Sequence, residues 1–202
     1  MLVYSEFDPS KKAFVFELDN VLYPERDYLL QVYYLFANFL EYSETFPPAV
    51  QLTEFFKKAY EHAGPNLIFD KAREAFGISE KYRENFLRLH RQAQLPLKLL
   101  LFDDMLKLLQ DIVIDRKEIF IVTAGDPVQQ LNKIRQIEWN GLEKYLRVYF
   151  TNEVKPKPSP DVLLEILKLH NLEANDVLVA GVESLDAIFA ENAGIDFVKI
   201  EK

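Results

Sequence analysis

The feature that most limits the fold is a change of pattern at Pro96. After it, short runs rich in β-branched and aromatic residues alternate with stretches of helical period. The spacing predicts strands over 118–123 (EIFIVT), 148–150, 176–180 (DVLVA) and 197–200. Helices are expected over 102–113, 128–138, 160–170 and 185–193. The third is started by Ser159 with Pro160 at its first position, and the fourth is closed by Gly194. Strands that alternate with helices are joined by right-handed crossovers, so the sheet they build is parallel. One more strand is expected at the N-terminus, over 13–18 (AFVFEL). Between Tyr23 and Pro96 there is no good strand candidate. Pro24 stops the first strand, and 27–42 reads as a helix apolar on more than one face. Pro47 and Pro48 end that helix, and further helices are expected over 51–62 and 78–94. The expected fold class is therefore α/β: a Rossmann-like parallel sheet flanked by helices, with a helical insertion after the first strand. The expected boundaries are 1–23 and 99–202 for the core and 24–98 for the insertion.

A chain of 202 residues is long enough for one buried core plus such an insertion. It contains no cysteine, which excludes disulfides and thiolate metal sites and suits a cytoplasmic protein. The start, MLVYSEFDPSKK, carries neither a long apolar run nor a small-residue cleavage site, so no signal peptide is expected. A net charge of -8 argues against nucleic acid and anionic membrane as partners, since the densest basic stretch along the chain is only Lys155 and Lys157. His62, His90 and His170 are too widely spaced for a histidine-rich metal centre. The aromatic segment containing Tyr33, Tyr34, Phe36 and Phe39 reads as core, with a protein-partner surface as the alternative, and Trp139 reads as packing at a helix end.

In a parallel sheet, ligands bind beyond the carboxyl ends of the strands. The residues that follow the expected strands are Glu17, Asp19 and Asn20; Thr123, Ala124, Gly125 and Asp126; and GVESLD at 181–186. Lys155 and Lys157 precede a helix nearby. Carboxylates suit a divalent cation, while a hydroxyl, turn amides and a lysine suit a phosphate.

These segments carry a resemblance. FELDNVLYPE resembles the first motif of the haloacid-dehalogenase-like superfamily, Asp-x-Asp-x-(Thr/Val) after a hydrophobic strand. VTAGDPVQQLNK resembles its second motif, in the form found in the phosphoglycolate-phosphatase and nucleotidase-like subgroup. KPKPSPDVL resembles the third and VLVAGVESLDAIFAENAGI the fourth, in the family's order and spacing from residue 13 to 200. The insertion corresponds to the family's helical cap, which supplies the contacts that select the substrate. The resemblance implies a phosphatase-type hydrolase acting on a small phosphorylated molecule with Mg²⁺. The catalytic positions are Glu17 and Asp19, the phosphate-binding positions Thr123, Ala124 and Lys157, and the metal positions Glu17, Asp19 and Asp186.

Two positions depart from the pattern. Glu17 stands where the family has its nucleophilic aspartate, and its carboxylate reaches about 1.5 Å further. Val182 stands where the family has a metal-binding aspartate, with Glu183 on the neighbouring Ser/Thr position. The expectation is weak or absent Mg²⁺ binding and weak turnover. The alternative is an inactive pseudo-phosphatase that binds a phospho-ligand or a protein.

Overall fold

The computed structural model describes residues 4–201, and the chain divides into two compact units. The first contains residues up to Pro24, Leu100–Gln130 and Ile137 onward; the second contains Glu25–Leu99 and Leu131–Gln136.

The first unit is built on a five-stranded sheet: β1 (Ala13–Phe16), β3 (Glu118–Thr123), β5 (Leu146–Phe150), β6 (Val177–Gly181) and β7 (Asp196–Lys199). Two-residue strands β2 (Leu99–Leu100) and β4 (Ile137–Glu138) lie outside it. The order is β5-β3-β1-β6-β7, and every pairing in it is parallel. The three central strands read as continuous apolar runs because both faces are buried, as expected for a parallel sheet covered by helices.

Ala13, Val15, Phe120, Val122, Val177 and Val179 share one face. They pack against Val162, Leu163 and Ile166 of α8 (Asp161–His170) and Phe189 and Ala190 of α9 (Ser184–Asn192). Side chains alternate along a strand, so Phe14, Phe16, Ile119 and Ile121 point the other way. Helix α5 (Asp103–Ile114) packs against β3 and buries Met105, Leu108, Leu109 and Ile112.

The second unit is helical: α1 (Glu25–Glu44), α2 (Ala49–Ala63), α3 (Ile68–Phe76) and α4 (Arg83–Gln92), joined by the last six residues of α6 (Pro127–Gln136). Its core is aromatic, with Tyr33, Phe36, Phe56, Phe69 and Phe86 in mutual ring contact. Tyr33 and Phe36 are wholly buried, as expected, whereas Tyr34 is half exposed because it lies on the opposite face of the broadly apolar α1. Trp139 is buried. Among the described residues no helix is long and apolar enough to cross a membrane. The fold class is the one the alternation predicts, a Rossmann-like parallel sheet with a helical cap inserted after its first strand.

Two helices escape the sequence pattern. The expected single helix over 78–94 is α4, preceded by a 3₁₀ turn over Glu80–Tyr82 capped by Ser79. Helix α3 falls in a stretch where Gly64, Pro65 and Gly77 obscured the period. The four-residue α7 (Thr151–Val154) is too short to show a period at all.

Candidate active site

The register places the site. Phe16, the last residue of β1, lies opposite Ile121 of β3 and Ala180 of β6. Glu17, Thr123 and Gly181 therefore come to the same carboxyl end of the sheet. Around them runs one connected set of polar contacts within the first unit.

The Lys157 ammonium donates to Glu17 Oε2 and, at 2.7 Å, to Asp186 Oδ1. Its side chain is 4% exposed, so it is a buried cation between two buried carboxylates, and it also lies over the Phe189 ring. Lys155 is exposed, which separates the two lysines of the Pro-rich segment. Burial pushes the Glu17 carboxyl up, while the Lys157 charge, its hydrogen bond and one from the Thr123 side chain pull it back. Burial works against the Lys157 charge, yet the two carboxylates outweigh it and hold its pKa above the ordinary lysine value. Both directions are consistent: one ammonium serves two carboxylates, so the lysine is oversupplied and Glu17 undersupplied.

Asp186 Oδ2 accepts from the amides of Val182 at 3.2 Å and Glu183 at 3.1 Å, closing a capping box at the start of α9. The loop passes this close to the carboxylate only because residue 181 is glycine. A Cβ there would lie 2.5 Å from Asp186 Oδ2. Val182 borders a cavity of about 480 Å³ together with Asn20.

Asp19 Oδ1 accepts from the Tyr23 hydroxyl at 2.6 Å, and Oδ2 from the Gln130 side-chain amide at 2.8 Å. The same Gln130 nitrogen reaches Thr123 Oγ1 at 2.7 Å. Gln130 is buried on α6 and joins the Asp19 and Thr123 halves of the site. Nothing in the motif pattern singles it out; its place one turn into α6, a helix that starts four residues after Thr123, is the signal that could have.

The turn after Thr123 is also occupied. The Gly125 amide donates to Asn152 Oδ1 at 3.2 Å. The Val128 and Gln129 amides donate to Asp126 Oδ1, the acid that caps α6. Ala124 stands half-buried at the head of this turn.

The expected site residues thus meet in two groups, Glu17–Lys157–Asp186 and Asp19–Gln130–Thr123, linked through Thr123 beside Glu17. A divalent cation would have to share or displace contacts that the chain makes to its own carboxylates. Each of the six oxygens of Glu17, Asp19 and Asp186 already accepts a hydrogen bond from the chain itself, Glu17 Oε1 from the Leu18 amide. Among the described residues no three acidic or histidine side chains are grouped so as to hold a metal.

The family model described as haloacid dehalogenase-like hydrolase matches residues 14–200. Solved structures share the fold. A hydrolase from Streptococcus pneumoniae TIGR4 is 20% identical, with 96% of this chain and 94% of that one covered and a TM-score of 0.56. A protein from Thermotoga maritima described as a β-phosphoglucomutase is 22% identical, covers 95% and 86%, and gives 0.64. The HAD-hydrolase YfnB from Bacillus subtilis, solved bound to magnesium, is 16% identical, covers 93% and 85%, and gives 0.60. No curated protein matches. With the match spanning nearly the whole chain, and the ordered motifs meeting at the carboxyl ends of a parallel sheet, the chain belongs to the haloacid dehalogenase-like hydrolase family.

Proposed function

We propose that the chain is a phosphatase-type hydrolase of small phosphoesters whose turnover is weak. The observation that carries this is Glu17 at the position of the attacking aspartate, a longer carboxylate with one oxygen bound by Lys157 and the other by the Leu18 amide. In the proposed reaction a Glu17 oxygen bonds to phosphorus and the bond to the leaving alcohol breaks. A protonated Asp19 gives its proton to the leaving oxygen, and the resulting Asp19 carboxylate takes a proton from the water that then cleaves the glutamyl phosphate. Misplacing a reacting group by about 1 Å costs on the order of 100-fold. Electrostatics adds to this. Glu17 and Asp186 share the Lys157 ammonium, so a phosphate dianion enters a site already rich in negative charge.

A second reading, a catalytically silent relative, draws support from the hydrogen bonds that the chain itself makes to all three carboxylates and to the Gly125 amide. The test is hydrolysis of a panel of small phosphoesters, with and without Mg²⁺, at high enzyme purity. The leading reading expects turnover at least 100-fold below an ordinary enzyme's roughly 10 per second. An ordinary rate would overturn it, and no hydrolysis of any panel member would favour the silent relative.

A further inference from the structure

At the amino ends of β3 and β5, opposite the site described above, two segments distant in sequence meet around a cavity of about 540 Å³. Arg116 and Lys117 come from the turn after α5, and Lys144 and Arg147 from the approach to β5 and its start. Four cations in one concavity contrast with a chain whose net charge is -8. The one acid in the lining, Glu118, lies beside basic groups: its Oε2 is 3.5 Å from Arg147 and 3.3 Å from His170, without a hydrogen bond to either. Asp115 and Glu143, next along the chain, do not line the cavity, and Asp115 accepts from the Tyr4 hydroxyl. Lys117 is held in place by its bond to the Pro9 carbonyl at 2.8 Å, so its charge is fixed before anything binds. Arg116, Lys144 and Arg147 are exposed.

The fifth element is aromatic. Tyr145 lines the same cavity and is 46% exposed, with the Lys144 ammonium 5.0 Å from its ring centroid. A planar ring beside several cations suits a ligand that is aromatic at one end and multiply anionic at the other. The volume is that of a small-ligand pocket, roughly 300–1,000 Å³. Glu118 and Thr123 are the two ends of β3, which at about 3.3 Å per residue puts them roughly 17 Å apart. The cavity is therefore separate from the carboxylate-rich site, whose charge disfavours a free phosphate.

We propose that this cavity is a nucleotide site, with the phosphates among Arg116, Lys117, Lys144 and Arg147 and the base against Tyr145. Isothermal titration of the full chain at low ionic strength with ADP, inorganic pyrophosphate and adenosine tests it. ADP is expected to bind saturably at sub-millimolar concentration, pyrophosphate more weakly, and adenosine hardly at all. The pair Arg116→Glu with Lys144→Glu, both exposed, should weaken ADP at least tenfold while the thermal midpoint of the unliganded protein stays put. Should that pair misfold, Lys144→Glu with Arg147→Glu makes the same reversal. Tyr145→Ala should bring ADP down to the affinity of pyrophosphate. The proposal is overturned by the absence of saturable ADP binding, by pyrophosphate binding as tightly as ADP, or by ADP binding that survives charge reversal and disappears in Thr123→Ala. The last result would assign the anion to the carboxyl end of the sheet.

Discussion

Lys157 is the residue on which the arrangement at the carboxyl end of the sheet most depends. Removing one partner of a buried ion pair leaves the other charged and unpaired, at a cost of about 3–5 kcal/mol. Lys157→Met keeps the length and removes the charge, and should lower unfolding free energy in urea by that amount at neutral pH; a loss under about 1 kcal/mol would mean that the contact contributes little. The pH dependence has a definite sign. The folded Lys157 pKa is raised, so its contribution is complete below the unfolded lysine value near about 10.4 and is lost as pH rises through the folded value. Glu17 is also raised, so its ionisation opposes folding and the penalty disappears on acidification. The gap between wild type and Lys157→Met should therefore narrow both in acid and in strong alkali. At this scale motif order places Glu17, Asp19, Thr123 and Asp186 after strands and Lys157 before a helix, and the structure brings these side chains into two bonded groups. Motif order does not reach Gln130, whose side chain arrives from the first turn of α6, nor the basic cavity, whose cations lie on two segments separated by β3, α6 and β4.

Secondary-structure elements were legible where burial and local period agree. Strand β3 falls where its apolar run lies, and β5 and β6 within a residue or two. The expected 13–18 strand ends at Phe16, because Glu17 and the residues after it turn away to form the site. The connection from β6 to α9 admits a sharp test. Gly181→Ala puts a methyl against Asp186 and should displace that carboxylate from the Val182 and Glu183 amides. Overpacking of this kind costs about 1–3 kcal/mol. A fall in thermal midpoint with loss of amide-exchange protection at residues 182–183 is expected; an unchanged midpoint would mean that the loop yields freely. In the helical unit, burial and then the Lys133 charge push His90 down to about 4, and its Nε2 finds no hydrogen-bond partner. A histidine depressed in the folded state holds its stability above the unfolded value near about 6.5 and loses it as pH falls toward the folded value. Roughly 3 kcal/mol should disappear between those limits, and His90→Phe, which replaces a ring tilted against Tyr33 and Phe86, should flatten that slope. An identical slope in wild type and variant would assign the acid sensitivity elsewhere.

Across the whole molecule, the chain keeps the family's parallel sheet and its helical insertion while carrying Glu17 and Val182 at the two positions where the proposed reading expects aspartates. The sheet tolerates this because its core lies between the strands and helices α5, α8 and α9, below the rim where Glu17 and Val182 stand. The residues that make the fold and the residues of the rim are thus different sets, which is why a match from residue 14 to 200 coexists with Glu17 and Val182 at the rim. The most direct measurement is phosphatase activity of Glu17→Asp, Val182→Asp and the double variant, each with and without Mg²⁺, together with Mg²⁺ binding by calorimetry. Nucleophile and metal act as a unit, so each single change should gain little. The double variant should gain more than the product of the single gains, about 100-fold over wild type, or about 2.7 kcal/mol of transition-state stabilisation. A wild-type protein that already binds Mg²⁺ tightly and turns over at about 1–10³ per second would contradict the account.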